Sequence, residues 1–294
     1  MLGLDIGATL TKFCFIVDGS VKYYFVKTSF EDIQNFLENK GTGKKLNDFL
    51  PNGIQKWTIT GCGSHRHREY FEHFPIVPSQ INDSQTILNA IPKLFADPEM
   101  YVTMGGTGKA AFDDKILVAM IGTGVSFFVI TNQTSIKHFG GTSIGGGTFL
   151  GMSNLLFQNT DFEKLISMAK EGNPDNLDLL ISDIVGGDYT GCLKSDVVAS
   201  SMAKSFWSKE RPSDIDTSAS LIKTISIVVG SQIASICNSQ GMSTCVLIGG
   251  FMDINDIISN NVIASVNLFR PSLTCVIPKN HLYFGAFGAA INNQ

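Results

Sequence analysis

Short apolar stretches interrupted by glycine-containing turns recur along the chain and predict β-hairpins. Residues 2–6 and 13–17 are mainly apolar and flank a turn with the pattern Asp-x-Gly-x-Thr-x-x-Lys, which begins at Asp5. Two apolar stretches joined by a tight, glycine-containing turn are typical of a hairpin. Residues 116–121 and 125–130 repeat the arrangement around a Gly-Thr-Gly turn. The two hairpins predict two similar lobes, each with a turn that faces a phosphate group.

A glycine-rich string separates the second hairpin from a helical pattern. Six glycines lie within residues 140–151, and Met152, Leu155 and Leu156 follow at helical spacing. Glycine at this density is tolerated where main-chain N–H groups must approach a ligand closely. Because the string leads into a helix, its free N–H groups and the positive end of the helix dipole favour an anion, most often phosphate. The alternative is a glycine-rich turn that only connects two elements.

Longer patterns predict a further strand and several helices. Residues 244–248 are apolar and end in Gly249 and Gly250, which predicts a buried strand whose glycine pair leaves room for a flat adenine ring. Helical periodicity predicts helices over residues 30–37 with Ser29 as N-cap, 83–95 with a break or kink near Pro92, 161–171, 177–185 and 219–238. The last of these is apolar on more than one face, which predicts that it is buried.

One histidine-rich segment invites a metal-binding interpretation. Residues 64–73 contain three histidines and two glutamates. A zinc-binding helix carries two histidines four residues apart, and this segment has no such pair. A charged surface helix is therefore the prediction for this segment.

Composition indicates a folded protein with a large core and does not select a function. The chain has 294 residues, 44% of them hydrophobic, and a mean hydropathy of +0.15, which suits two lobes. A net charge of −4 gives no electrostatic reason to expect nucleic acid or an anionic membrane as partner. The six cysteines form no Cys-x-x-Cys pair, which predicts reduced core residues. The chain begins without a signal-peptide pattern, and we expect a soluble, cytoplasmic protein.

The order of these motifs resembles the actin, Hsp70 and sugar-kinase superfamily, and within it the eukaryotic-type (type II) pantothenate kinases. The resemblance extends over nearly the whole chain. It rests on DIGATLTK at 5–12, IGTGVS at 121–126, GTSIGGGTFLGM at 141–152, DIVGGDY at 183–189, VVASS at 197–201 and YFGAFGAA at 283–290.

The resemblance implies an α/β fold of two RNase H-like lobes with a nucleotide cleft between them. The lobes are expected at residues 1–110 and 111–294, the second carrying the glycine-rich helix start and the dimer helices. The implied activity is the ATP- and Mg²⁺-dependent phosphorylation of pantothenate to 4'-phosphopantothenate, the first step of coenzyme A biosynthesis. The implied assembly is a homodimer, with acetyl-CoA or CoA as a candidate feedback ligand.

Site residues follow from the same resemblance. Lys12 is expected to reach the nucleotide phosphates, and Asp5 to hold Mg²⁺ through water. Thr142 and Ser143 are expected to contact the substrate. The nucleotide is expected to be bound by Gly7, Thr9, Lys12, Gly122, Thr123, Gly124, Ser126, Gly145, Gly146, Gly147, Gly249 and Gly250.

The sequence departs from the family pattern at two charged positions. Active type II pantothenate kinases carry a glutamate that acts as base on the substrate hydroxyl, and Gln80 occupies that position here. A carboxamide cannot accept the proton. His138 stands where these kinases carry an arginine. A shift of one to three residues in the alignment makes Asp83 a substitute base, and Lys137 can replace the arginine; otherwise Asp83 is the N-cap of the following helix.

These departures leave two further functions open. One is a catalytically inactive pseudokinase that keeps the cleft, binds ATP or acyl-CoA and acts as a regulatory or partner subunit. The other is a kinase of a different small hydroxyl substrate with a relocated base.

Overall fold

The chain folds as a layered α/β protein built on two sheets. The structure is a computed structural model. It describes residues 1–38, 53–106, 110–158, 161–190, 193–252 and 256–292.

The first sheet has five strands in the order β3-β2-β1-β4-β5. Strands β1, β2 and β3 form an antiparallel meander, and β4 and β5 continue the sheet in parallel with β1. The strands are β1 Leu2–Ile6, β2 Leu10–Val17, β3 Ser20–Lys27, β4 Trp57–Thr60 and β5 Ser79–Gln80.

The second sheet repeats this plan with one more strand. Its order is β6-β13-β12-β7-β8-β9, in which β7, β8 and β9 form the meander and β12 and β13 run parallel to β7. The strands are β6 Tyr101–Met104, β7 Lys115–Ile121, β8 Val125–Thr131, β9 Ser135–Thr142, β12 Thr244–Ile248 and β13 Thr274–Pro278. A short separate pair consists of β10 Leu179–Leu180 and β11 Val198–Ser200. Both predicted hairpins and the two-lobe fold are confirmed.

Helices cover the faces of the two sheets. They are α1 Phe30–Leu37, α2 Arg68–Glu72, α3 Asp83–Ala96, α4 Gly146–Phe157, α5 Phe162–Glu171, α6 Ile181–Val185, α7 Lys204–Trp207, α8 Asp214–Gln240, α9 Ile257–Phe269 and α10 Phe284–Ile291. The predicted N-cap of α1 is confirmed, because the Ser29 side chain accepts a hydrogen bond from the Asp32 N–H.

Several predictions about helices are wrong in detail. Asn82, not Asp83, is the N-cap of α3, because its side chain accepts from the Gln85 N–H. Helix α3 also continues through Pro92 to Ala96, so the predicted break is wrong, whereas the alternative of a kink stays a prediction. Within 177–185 only the last five residues are helical, and within 64–73 only five residues form the α-helix α2. These short segments lack the length over which helical periodicity is informative.

Two elements cross the boundary that was predicted at residue 110. Strand β6 precedes that position but belongs to the second sheet. Helix α10 follows it but packs on β1 and α3 of the first lobe. The position of the domain boundary stays a prediction, since the two lobes share these elements.

Three apolar clusters form the core in successive layers. One lies between the second sheet and α5, α8 and α9. Another lies between the two sheets and includes the buried faces of α3 and α10. The third covers the outer face of the first sheet beneath α1.

Helix α8 is a core helix, as its pattern predicted. Its most apolar 18-residue window has a mean hydropathy of 1.5, which a membrane-spanning helix of its length would also show. However, 56% of that window is buried inside the protein. The helix packs against α5 and α9.

Close packing of α10 depends on glycine. A Cβ on Gly3 would lie 2.1 Å from the Ala286 carbonyl oxygen, and one on Gly288 would lie 2.1 Å from the Thr86 carbonyl oxygen. Both distances are far below van der Waals contact, and both neighbours are backbone atoms that cannot move aside alone. Helix α10 therefore lies against β1 and α3 without intervening side chains.

We expect Gly3→Ala to lower the free energy of unfolding by at least ~1–3 kcal/mol, because the new methyl group must push α10 away from β1. Urea unfolding of the full chain measures this. Gly151→Ala is the matched control: a Cβ at Gly151 meets nothing within 4 Å, and this helix position should gain about 0.5–1 kcal/mol. Equal stability of Gly3→Ala and the wild type would contradict the packing described for α10.

Candidate functional site

The two hairpin turns meet at the cleft between the lobes. The Thr9 and Thr123 hydroxyls lie 3.0 Å apart and share a hydrogen bond across the cleft. Each turn is closed by its own backbone, with the Gly7 N–H donating to the Leu10 carbonyl and the Gly122 N–H donating to the Gly124 carbonyl. The structure thus brings together two sets of residues that are far apart in sequence. Their role in binding phosphate stays a prediction.

An Asp5–Lys12 ion pair lies beside the first turn. The two residues are cross-strand partners in β1 and β2, and the Lys12 Nζ lies 3.4 Å from the Asp5 Oδ2. Their side chains are only 19% and 13% exposed. Partial burial strengthens the attraction relative to a solvated pair.

Backbone surrounds the Asp5 carboxylate closely. A Cβ on Gly61 would lie 2.7 Å from the Asp5 Oδ1, and a Cβ on Gly285 would lie 2.9 Å from its Oδ2. Gly61 follows strand β4, and Gly285 lies in the first turn of α10. Three separate elements therefore fix the position of this carboxylate. Neither glycine was predicted as a site residue from the sequence, although Gly285 lies within the YFGAFGAA string.

Asp83 lies close enough to the Asp5–Lys12 pair to be influenced by both charges. It is the first residue of α3, and its Oδ1 accepts hydrogen bonds from the Thr60 hydroxyl and the Gly61 N–H, both at 3.0 Å. Burial raises the pKa of the Asp83 carboxyl above its usual value, and the charge of Asp5 raises it further. The two hydrogen bonds and Lys12 oppose this rise. A partly buried carboxyl with a raised pKa in a cleft is typical of acid–base chemistry.

Gln80 and His138 lie in different settings. Gln80 ends β5, is exposed, and donates from its Nε2 to the Ser64 hydroxyl oxygen at 3.0 Å. His138 is exposed on β9, and its ring lies 5.2 Å from the ring of Phe128 on the neighbouring strand. Lys137, beside it, is also exposed. No contact among the described residues joins His138 to Asp5, Lys12 or Asp83.

The glycine-rich string supports the second hairpin turn. The N–H groups of Gly146 and Gly147 donate to the carbonyl oxygens of Gly122 and Thr123, each at 2.8 Å. The expectation that these N–H groups are free for a phosphate is therefore wrong for these two residues. A Cβ on Gly146 would lie 3.0 Å from the Gly122 carbonyl oxygen and 2.8 Å from the Phe251 ring, so this glycine allows α4 to contact the turn directly.

The residues around the start of α4 are mostly occupied in local hydrogen bonds. The Thr142 hydroxyl accepts from the Ile144 N–H, and the Thr148 hydroxyl donates to the Ser143 carbonyl. Thr148 also accepts from the Gly145 N–H at 3.3 Å. Substrate contact by Thr142 and Ser143 stays a prediction, as does nucleotide contact by Gly145.

The backbone conformation and the packing at position 249 both require glycine. Its φ is +118°, and a Cβ there would lie 2.3 Å from the Ile121 carbonyl oxygen. Its N–H donates to the His281 carbonyl. The adjacent Gly250 is exposed, and Ser126 is half-buried on β8. A role of these residues in nucleotide binding stays a prediction.

Asp5 is the carboxylate expected to hold Mg²⁺ through water. Among the described residues, no group of three or more histidine, cysteine, aspartate or glutamate side chains is placed to hold a metal. Mg²⁺ usually keeps several waters and is bound by one or two carboxylates together with substrate phosphates. The partly buried Asp5 carboxylate suits this kind of site, and its role as a magnesium ligand stays a prediction.

Comparisons with known proteins identify relatives of this chain. The Fumble family model matches residues 18–292. A type II pantothenate kinase of Bacillus anthracis is 26% identical over 297 residues, which covers 99% of this chain and 96% of that protein. The 4'-phosphopantetheine phosphatase of Mus musculus is 31% identical over 175 residues, or 59% of this chain, and the chain spans only 21% of the mouse protein.

Solved structures agree with the fold. A ROK family glucokinase from Streptomyces griseus, solved with glucose and AMPPNP, superposes with a TM-score of 0.56 at 11% identity, covering 99% of this chain and 97% of the glucokinase. At this identity the likeness supports the fold alone. The family model, however, matches most of the chain. The chain therefore belongs to the Fumble family of type II pantothenate kinase-like proteins.

Proposed function

We propose that this chain is an ATP- and Mg²⁺-dependent kinase that converts pantothenate to 4'-phosphopantothenate. The observation that carries the proposal is the partly buried Asp83 carboxyl, held by the Gly61 N–H beside the Asp5–Lys12 pair. The choice of substrate rests on the Bacillus pantothenate kinase, because that relative and this chain align over almost their full lengths.

The residues of the cleft divide the work of phosphoryl transfer. Lys12 neutralises charge on the terminal phosphate. The Thr9 and Thr123 hydroxyls give up the hydrogen bond between them and donate to phosphate oxygens instead. Asp5 would hold a magnesium ion through water, and the ion would supply further charge neutralisation. Positioning and electrostatic stabilisation are the main protein contributions to this class of reaction.

Asp83 acts as the base in this proposal. Its Oδ1 is fixed by Thr60 and Gly61, whereas its Oδ2 makes no hydrogen bond within the described part of the chain. The substrate hydroxyl oxygen bonds to the γ-phosphorus, and the bond from that phosphorus to the bridging oxygen of ADP breaks. The hydroxyl proton passes to the Asp83 Oδ2. The raised pKa makes this carboxylate a stronger base than an exposed aspartate.

A pseudokinase is the second candidate, and Gln80 and His138 favour it. Both side chains are exposed and stand where active kinases of the family are expected to carry charged residues. Such a protein would bind ATP or acyl-CoA and act through a partner. It would bind nucleotide as the kinase does, so nucleotide binding alone does not separate the two candidates.

We expect ATP with Mg²⁺ to raise the thermal unfolding midpoint, because a ligand that binds only the native state stabilises it by mass action. Gly122→Val should remove the shift without lowering the midpoint of the free protein, since a Cβ at Gly122 meets only the Gly124 carbonyl oxygen, at 3.8 Å. Gly146→Val should instead lower the free protein's midpoint, because its side chain would strike Phe251. Absence of any ATP shift in the wild type would refute the nucleotide cleft.

We expect Asp83→Asn to lower kcat by about 10²–10⁴-fold, the usual contribution of a general base, with little change in the affinity for ATP. In the wild type, kcat should fall as the pH falls through the raised pKa of Asp83, because the protonated carboxyl cannot accept the hydroxyl proton. Steady-state rates across pH measure both effects.

Asp97 provides the matched acidic control, because it caps a short turn after α3 and lies outside the cleft. Asp97→Asn should keep the wild-type rate. An inactive wild type that gains pantothenate-dependent turnover through the pair Gln80→Glu and His138→Arg would contradict Asp83 as base. That outcome would favour the pseudokinase.

We also infer a homodimer. Leu155, Phe206 and Trp207 in the second lobe are 79%, 84% and 63% exposed, and large exposed apolar side chains often mark a protein interface. Light scattering at micromolar concentration should give about twice the 31.8 kDa of one chain. Replacing Phe206 and Trp207 by serine should shift the mass toward one chain, and a monomeric wild type would contradict the inference.

A further inference from the structure

Gln80 belongs to a small polar cluster with Ser64 and His65. Ser64 is 2% exposed, whereas His65 and Gln80 are exposed. The Gln80 Nε2 lies 3.0 Å from the Ser64 Oγ and 3.5 Å from the His65 Nδ1. The buried serine thus anchors an exposed carboxamide in one orientation.

The hydrogen bonds of this polar cluster determine what it presents outward. A carboxamide nitrogen has two N–H donors, and here one faces Ser64 and the other faces His65. The carboxamide oxygen, Oε1, is then left as an acceptor. A carboxamide nitrogen only donates, so the His65 Nδ1 is the acceptor in this contact, and a ring whose Nδ1 accepts carries a proton on Nε2. The cluster therefore presents one acceptor and one N–H donor side by side.

One short segment, residues 59–64, joins the polar cluster to the proposed base, Asp83. Gln80 pairs with Ile59 in β4, and Asp83 is bound to Thr60 and Gly61, the next two residues along the chain. The same segment continues to Ser64, whose N–H donates to the Gly61 carbonyl. Gln80 and Asp83 are thus both attached to the single turn that residues 60–64 form.

We propose that Gln80 and His65 are positioning residues that bind the α-hydroxy amide group of pantothenate, an inference that rests on the proposed function. Pantothenate carries a second hydroxyl next to its amide carbonyl. That hydroxyl donates to the Gln80 Oε1, and the amide carbonyl accepts from the His65 Nε2–H. The match of one acceptor and one donor selects an uncharged α-hydroxy amide over a carboxylate at this place.

In this arrangement a carboxamide at position 80 has a use of its own. Glutamine keeps an acceptor for the substrate without adding charge. It also leaves Asp83 as the group that receives the proton of the reacting hydroxyl.

Isothermal titration calorimetry tests the inference without requiring turnover. Pantothenate and its analogue without the α-hydroxyl are titrated into the full chain with Mg²⁺ and a non-hydrolysable ATP analogue. Gln80→Ala should weaken pantothenate binding about 3- to 10-fold, as expected for one neutral hydrogen bond. The analogue should bind the wild type more weakly by a similar factor, and Gln80→Ala should bind both ligands equally.

Further variants separate positioning from a general structural effect. His65→Ala should weaken pantothenate binding, whereas His73→Ala, an exposed histidine at the end of α2, should not. Gln85→Ala on α3 is the matched glutamine control, because its Nε2 is bonded only to Asn89 among the described residues. In turnover assays Gln80→Ala should raise the KM for pantothenate and leave kcat within about 2-fold. The reason is that the lost hydrogen bond stabilises the bound substrate and the transition state equally.

Each outcome decides the inference. The inference is overturned if removal of the α-hydroxyl from pantothenate weakens binding to Gln80→Ala as much as it weakens binding to the wild type. In that case, loss of turnover in Asp83→Asn would still support the kinase proposal. If the α-hydroxyl strengthens pantothenate binding in the wild type but not in Gln80→Ala, and the wild type releases no ADP, the inference stands and the kinase proposal fails. A wild type that does not bind pantothenate overturns both.

Discussion

Direct backbone contact between helix α10 and its neighbours is the constraint on which the cleft depends. Gly3 and Gly288 allow α10 to lie against β1 and α3 with no side chain between them. The first turn of α10 then meets the Asp5 carboxylate through Gly285, and α3 begins at Asp83. Helix α10 therefore supports both the strand that carries Asp5 and the helix that carries Asp83.

A second packing contact, in the other lobe, fixes the opposite wall of the cleft. The glycines that begin α4 donate hydrogen bonds to the Gly122–Gly124 turn, and Thr123 in that turn reaches Thr9. The glycine-rich string thus acts through the turn that it supports. This explains why two N–H groups of a string with the composition of a phosphate-binding loop donate to backbone carbonyls of the turn instead.

Local patterns in the sequence predicted the individual elements, and the family resemblance was needed for the fold and the cleft. Both hairpins and the buried helix α8 are evident from apolar periodicity, and the family resemblance supplied their arrangement. The contacts that define the site were not predictable in the same way. The Thr60–Asp83 bond joins residues 23 apart, and the Thr9–Thr123 bond joins residues 114 apart. Periodicity carries no information about such pairs. The cap of α3 was misassigned because Asn82 and Asp83 are both good N-cap residues.

The proposed function requires a working reaction centre despite glutamine and histidine at positions where charged residues were expected. The most direct measurement is ADP release from ATP by the purified wild-type chain, with and without pantothenate. We expect ADP release only when pantothenate is present, with one 4'-phosphopantothenate formed for each ADP. ATP binding without any pantothenate-dependent ADP release would contradict the proposed function.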